Sequence, residues 1–179
     1  MRAWVGLGGN LARSLEAFAN AVVSMTAVVQ VRGVSSLYRS VPRERQEQPD
    51  FLNAALALET DLTPRPLLAE LKAIERRLGR DPFGERYGPR LIDLDLLAID
   101  DLCIEDVPDL VVPHPRLAER RFALEPLAEL DPDLRPWAAC PGERRELTVA
   151  QALAAVMDQD VEVVEGPGWA QRSRDRLDS

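Results

Sequence analysis

Histidine, lysine and cysteine are all scarce in this chain of 179 residues, which has one histidine, two cysteines and 22 Lys plus Arg residues, of which only Lys72 is lysine. A single histidine, His114, excludes a multi-histidine metal centre. Lys72 sits in Leu71-Lys72-Ala73, without the Gly-Lys-Ser/Thr ending of a P-loop, so Walker-type nucleotide binding is excluded and Schiff-base chemistry has one weak candidate. Cys103 and Cys140 form no C-x-x-C pair, which argues against zinc or a dithiol motif and for two buried, reduced thiols. No apolar run approaches the roughly 20 residues that cross a bilayer, and the N-terminus lacks a signal-peptide pattern, so a cytoplasmic protein is expected. Positive charge is short too. The 22 basic against 30 acidic side chains leave a formal charge of -8, which argues against coating nucleic acid or an anionic membrane but leaves room for a small basic pocket.

What is present describes a folded domain, 46% hydrophobic and 29% charged. A chain of this length buries roughly two thirds of its surface in one core. A single domain over residues 1–165 and a mobile tail over 166–179 are expected. Residues 3–7 read as a strand emptying into the turn Gly6-Leu7-Gly8-Gly9-Asn10, and residues 14–25 as a helix with Leu15, Phe18, Ala19, Val22 and Val23 on one face. A strand is predicted over 28–38 and a polar loop over 39–49, while residues 51–59 fit a strand, although their alanines and leucines would also allow a helix. Thr63-Pro64 opens a helix by an N-cap and a proline at N1, and Gly79 stops it. A second polar loop, 80–90, leads to a strand over 91–99. Pro113-His114-Pro115 forms a rigid corner, followed by short helical pieces over 116–130 broken at Pro126 and a last helix over 148–157. Strand, helix, strand, strand, helix, strand is the ferredoxin-like βαββαβ order, an α+β fold whose mainly antiparallel sheet carries two helices on one face.

The sharpest chemical feature is Leu91-Ile92-Asp93-Leu94-Asp95-Leu96. Alternate side chains of a strand point to opposite faces, so Asp93 and Asp95 stand together. Adjacent carboxylates repel unless a cation lies between them, and hard oxygen ligands suit Mg²⁺ carrying substrate phosphates. The plainer alternative is an amphipathic strand with a solvated acidic face. Charge distribution favours the first. Residues 72–90 hold six basic and three acidic side chains, whereas residues 91–109 hold seven acidic and no basic ones. Arginines leading into paired carboxylates suit phosphoryl transfer, with cations on the phosphate oxygens. The glycine turn lacks the G-x-G-x-x-G spacing, so its glycines fit close backbone approach to a ligand or a neighbouring loop better than a phosphate cradle. His114, fixed by prolines and backed by Arg116, Arg120 and Arg121, is a candidate phosphate or nucleotide contact.

These segments together resemble one family. Residues 6–11, Ser35-Ser36-Leu37-Tyr38-Arg39-Ser40, Gln48-Pro49-Asp50-Phe51-Leu52-Asn53, Gly79-Arg80, residues 86–95 and Val112-Pro113-His114-Pro115 with Arg120-Arg121-Phe122 are similar, in order and spacing, to the hydroxymethyl-dihydropterin pyrophosphokinases of folate synthesis. The resemblance runs from residue 3 to about 135. It implies transfer of pyrophosphate from ATP to 6-hydroxymethyl-7,8-dihydropterin, leaving AMP, with two Mg²⁺ ions on Asp93 and Asp95. It further implies a pterin stacked between Phe51 and Phe122, with Asn53 and the segment carrying Ser40, Val41 and Arg43 at its polar edge. Arg80 and Arg90 then act on the triphosphate as catalytic groups, and Glu75, His114 and Arg120 lie near the nucleotide. The implied partners are these two small molecules, with neither nucleic acid nor membrane, and a monomer is expected.

Departures from the family pattern are Gly9 in place of Ser, Pro82 and Phe83 in place of basic residues, Tyr87 in place of an aromatic that is often Trp, and Asp109 where relatives can have arginine. An Mg²⁺-dependent phosphohydrolase on the same scaffold and a non-catalytic ferredoxin-like binding module are the competing readings. The loops at 39–49 and 80–89 are expected to close over the substrates.

Overall fold

The computed structural model describes residues 1–43, 47–81, 88–106 and 108–177. Strand β1 (Arg2–Gly9) is central, flanked by β5 (Asp93–Ile99) and β4 (Phe51–Glu59), both antiparallel to it. Strands β2 (Gln30–Val34) and β3 (Leu37–Ser40) both pair with β4, and β8 (Val161–Glu165) extends the sheet beyond β3. With helices α1 (Ser14–Thr26) and α2 (Pro64–Arg77) as crossovers, the order β5-β1-β4-β2 is the expected ferredoxin-like core. A separate ribbon of β6 (Ile104–Asp106) and β7 (Leu110–Val112) follows β5.

Alternation along β1 sorts the layers. Ala3, Val5 and Leu7 face a core with Phe18 and Met25 of α1 and Leu67, Leu71 and Ile74 of α2. Trp4 points the other way, into a second core with Leu97 and with Leu124 and Leu127 of α3 (Arg121–Leu130). That second face is also covered by α4 (Val149–Ala154), so helices lie on both sides of the sheet rather than on one. The reason is that β1 and β5 are apolar on both faces along part of their length, and neither face can be left in water. At the end of β1 the second face carries no large side chains, because Gly6 and Gly8 stand there, and a cavity opens over them.

Several local expectations are revised. The predicted strand over 28–38 splits at Ser35, whose hydroxyl accepts from the Ala55 N–H at 2.9 Å while its own N–H donates to the Ala55 carbonyl at 3.0 Å. A side chain there takes the place of the strand ladder. Pro126 does not break α3; the helix runs through it because Leu124 and Leu127 on either side are fully buried. The stretch expected as a tail carries a helix. Helix α5 (Trp169–Leu177) docks on α1, with the fully buried Trp169 edge-on to Phe18 at 6.2 Å and its indole N–H donating to the Ser35 carbonyl at 2.8 Å. The expected last helix is therefore α4, not the last. Cys103 and Cys140 are not free thiols but a disulfide, Cα atoms 5.2 Å apart, because the segment after α3 folds back beside the β5–β6 turn.

Helix α4 is short, and its N-terminus carries a capping box in which Thr148 accepts from the Gln151 N–H while the Gln151 side chain accepts from the Thr148 N–H. Thr148→Ala is expected to lower the unfolding free energy by about 1 kcal/mol, read by denaturant titration.

Candidate active site

The cavity above Gly6 and Gly8 has a volume of about 210 Å³. Sheet register builds its floor. Gly8 lies opposite Asp93 on one side and Asn53 on the other, and Gly6 lies opposite Asp95, so two residues without side chains separate the carboxylates from the β4 side of the site. A Cβ on Gly8 would meet nothing nearer than Asn53 Oδ1 at 4.0 Å; its absence leaves that space to a ligand. Ser40, Val41, Arg43, Phe51, Asn53 and Phe122 line one side, and Arg90, Asp93, Asp95, His114 and Arg120 the other, so these sequence-predicted residues do meet at one place.

Asp93 is the most heavily contacted of them. Arg80 Nη1 donates to its Oδ1 at 2.6 Å and Arg90 Nη1 to its Oδ2 at 2.7 Å. Burial alone would raise its pKa, but Arg80, Lys72 and Arg90 outweigh that and hold it below the usual carboxylate range. Asp95 has the opposite balance. It accepts no hydrogen bond from a described residue, and burial plus the Asp93 charge push its pKa up. A partly buried carboxylate without a donor, beside an ionised one, is what a hard cation would relieve, so the pair fits Mg²⁺. Among the described residues no group of three or more Asp, Glu, His or Cys is placed to hold a metal ion.

Glu75, expected near the nucleotide, is 2% exposed, lies behind β5 and lines neither this cavity nor the one beside Cys103 and Cys140. Its Oε1 accepts from the Leu94 N–H at 2.5 Å, from Lys72 Nζ at 2.9 Å and from Arg80 Nη1 at 2.6 Å. Burial raises its pKa, against the pull of Lys72 and the Leu94 N–H. Because Leu94 separates the two aspartates, Glu75 steadies the strand that aims them. Lys72 is fully engaged as well, donating also to the Leu94 carbonyl at 3.0 Å, which ends its candidacy for Schiff-base chemistry.

His114 follows a cis Val112–Pro113 bond and donates its N–H to the Leu97 carbonyl at 2.9 Å, so its ring is held over the β5 end of the cavity. Nδ1 accepts from the Arg116 N–H at 3.2 Å and Nε2 lies 3.4 Å from Arg120 Nη1. Burial lowers its pKa, and Arg120 and Arg116 add to that against Asp95. The imidazole is therefore held towards its neutral form at physiological pH. His114 also borders a second, more open cavity of about 500 Å³ beside the disulfide.

Both aromatic rings expected to hold a flat ligand carry a guanidinium on one face. Arg90 Cζ is 5.5 Å from the Phe51 ring centre and Arg120 Cζ 5.5 Å from that of Phe122. Asn53 is 4% exposed and donates to Ser40 Oγ at 2.9 Å. Arg43 donates to the Glu119 carbonyl at 2.5 Å, which ties the segment after β3 to the one before α3. Asp109 is exposed and lines neither cavity; the departures at Pro82, Phe83 and Tyr87 lie outside the described residues. Sequence reasoning gave no role to Asn10 or Gln48 and named Arg116 only as backing for His114. Gln48 and Arg116 line the cavity, and Asn10 is the buried residue after the glycine turn, where only its partners, far away in sequence, reveal its use.

Fold and site together define a ferredoxin-like enzyme with an arginine-flanked pair of carboxylates on its sheet. The chain belongs to the 7,8-dihydro-6-hydroxymethylpterin-pyrophosphokinase (HPPK) family, whose model matches residues 4–132. It is a pyrophosphokinase of folate biosynthesis. A 2-amino-4-hydroxy-6-hydroxymethyldihydropteridine pyrophosphokinase from Methylorubrum extorquens is 42% identical over 166 residues, covering 92% of this chain and 99% of that protein. One of the same name from Pseudomonas aeruginosa is 41% identical over 153 residues, covering 79% and 93%. Among solved structures, the wild-type Plasmodium falciparum HPPK-DHPS crystal structure superposes with a TM-score of 0.65 at 14% identity, a likeness of fold alone. The alignment covers 86% of this chain, which spans 44% of that one.

Proposed function

We propose that this enzyme transfers the β,γ-pyrophosphoryl group of ATP to the hydroxymethyl oxygen of 6-hydroxymethyl-7,8-dihydropterin, using two Mg²⁺ ions. The observation that carries the reading is the placement of Asp93 and Asp95 on a glycine floor between an arginine group and two phenylalanine rings. In the reaction the pterin oxygen forms a bond to the β-phosphorus, the bond from that phosphorus to the α,β-bridging oxygen breaks, AMP leaves, and the hydroxyl proton is released. When bound, Mg²⁺ neutralises charge on the triphosphate and draws its oxygens into line. Asp93 and Asp95 hold that charge at the floor. Arg80 and Arg90, now on Asp93, are within side-chain reach of phosphate oxygens at the same spot, and their planar forks suit paired oxygens. Neutral His114 and Arg120 offer a donor and a cation to the nucleotide. Phe51 and Phe122 stack the pterin, displacing their guanidinium partners, while Asn53 and Ser40 address its polar edge. Catalysis is thus mainly positioning and charge stabilisation.

The pure protein with ATP, Mg²⁺ and the pterin should form AMP, and only when pterin is present. Free phosphate released without pterin would instead favour the phosphohydrolase. Phe122→Ala is expected to weaken pterin binding by about 5-fold to 150-fold, from a stacking loss of about 1–3 kcal/mol, with ATP binding little changed; calorimetry reads both.

A further inference from the structure

Asn10 makes more connections than its place in a turn requires. It is 5% exposed, and its side-chain amide makes three hydrogen bonds. Nδ2 donates to Gln48 Oε1 and to the Pro49 carbonyl, both at 3.1 Å, and Oδ1 accepts from the Arg90 N–H at 2.9 Å. Its own N–H donates to the Arg90 carbonyl, also at 2.9 Å. One side chain therefore grips the end of the loop before Phe51 and the end of the loop before Asp93, the two segments that carry the pterin ring and the phosphate-facing arginine.

Close approach makes this possible. A Cβ at Gly9 would sit 2.5 Å from the Leu91 carbonyl oxygen and 2.7 Å from Ser14 Oγ, so only glycine lets the β1 end lie against residues 90 and 91. A serine at position 9 would force that contact apart in this chain.

We infer that Asn10 is a positioning residue that couples the pterin and triphosphate subsites, by fixing the backbones of Pro49 and Arg90 relative to each other. The inference rests on the activity proposed above. The shared element is already visible, since the Arg90 guanidinium bridges the Phe51 ring and the Asp93 carboxylate. A pterin stacking on Phe51 takes the place of that guanidinium and leaves it to the triphosphate. With both backbones pinned to Asn10, a shift at one subsite reaches the other, so each ligand prepares the site for the other.

The test is a binding cycle. Pterin is titrated into the full chain with and without a non-hydrolysable ATP analogue and Mg²⁺, and the ratio of the two dissociation constants is the coupling. In the unsubstituted enzyme a ratio of about 5-fold to 150-fold is expected. Asn10→Ala should bring it close to one while each ligand alone still binds. Asn10→Asp, which keeps the acceptor for the Arg90 N–H but loses both donors, should do the same. Gln48→Ala removes one of the three partners of the Asn10 amide and should lower the ratio part way. Undiminished coupling in folded Asn10→Ala or in both other variants overturns the inference, as does an unsubstituted enzyme that forms AMP yet shows no coupling. Failure to form AMP at all would instead overturn the activity itself.

Discussion

Asp95→Asn is expected to reduce pyrophosphoryl transfer by about 10³-fold, roughly 4 kcal/mol of transition-state stabilisation, while making the unliganded protein more stable. The two effects share one cause. Burial and the Asp93 charge raise the Asp95 pKa in the fold, so its contribution to stability is fully present below the unfolded aspartate value and lost as pH rises through the higher folded value. At neutral pH without metal this carboxylate therefore works against folding. Asparagine removes the charge and with it both the repulsion and the cation site. Thermal unfolding should show the variant melting above the parent without Mg²⁺, and the Mg²⁺-nucleotide-induced rise in Tm of the parent should shrink in the variant. A variant that melts lower, or retains full activity, would contradict the assignment of Asp95 as a metal ligand.

Glu75→Ala should produce the largest loss of stability, about 3 kcal/mol. It strips the Leu94 N–H, Lys72 and Arg80 of their shared acceptor, and the N–H, within β5, is the group least able to find water. The loss stays at the low end of what broken buried pairs cost because the Lys72 and Arg80 side chains remain 35% and 28% exposed and can rehydrate. For a chain of this size that is a fall in Tm of about 6–12 °C. Glu75→Gln keeps an acceptor for Leu94 and should fall by much less in stability. Its activity should still drop, since Arg80 and Asp93 lose the neighbouring charge that helps set their arrangement. Equal melting temperatures for the alanine variant and the parent would show that Glu75 does not hold β5.

Local signals were legible wherever one periodic face or one cap decided the outcome. The alanines and leucines of Phe51–Glu59 allowed strand or helix until pairing with β1 decided for strand, whereas the helix opened by Thr63-Pro64 follows directly from apolar spacing and an N-terminal proline. So does the pairing of Asp93 and Asp95 on one face, because period-two alternation needs no knowledge of the rest of the chain. Elsewhere a distant partner won. Pro126 stays helical under packing from both sides, Ser35 substitutes a hydroxyl for a strand bond, and Trp169 turns a polar-looking terminus into a docked helix through one large buried ring. Nothing in the spacing of Cys103 and Cys140 foretells that the chain after α3 returns to the β5–β6 turn.

By itself, then, the amino-acid order determined the chemistry available: a carboxylate pair, a surplus of arginine beside it, two suitably placed phenylalanines and the βαββαβ alternation that carries them. The tertiary structure decided how they are connected. It put glycine rather than side chains between the aspartates and Asn53, withdrew Glu75 from the cavity to hold β5 from behind, and gave Asn10 the ends of both substrate loops. The physical reason is the range of the interactions. Side-chain alternation and helix caps act within a few residues, whereas hydrogen bonds such as Asn10 to Arg90 join groups 80 residues apart and exist only after the sheet has formed.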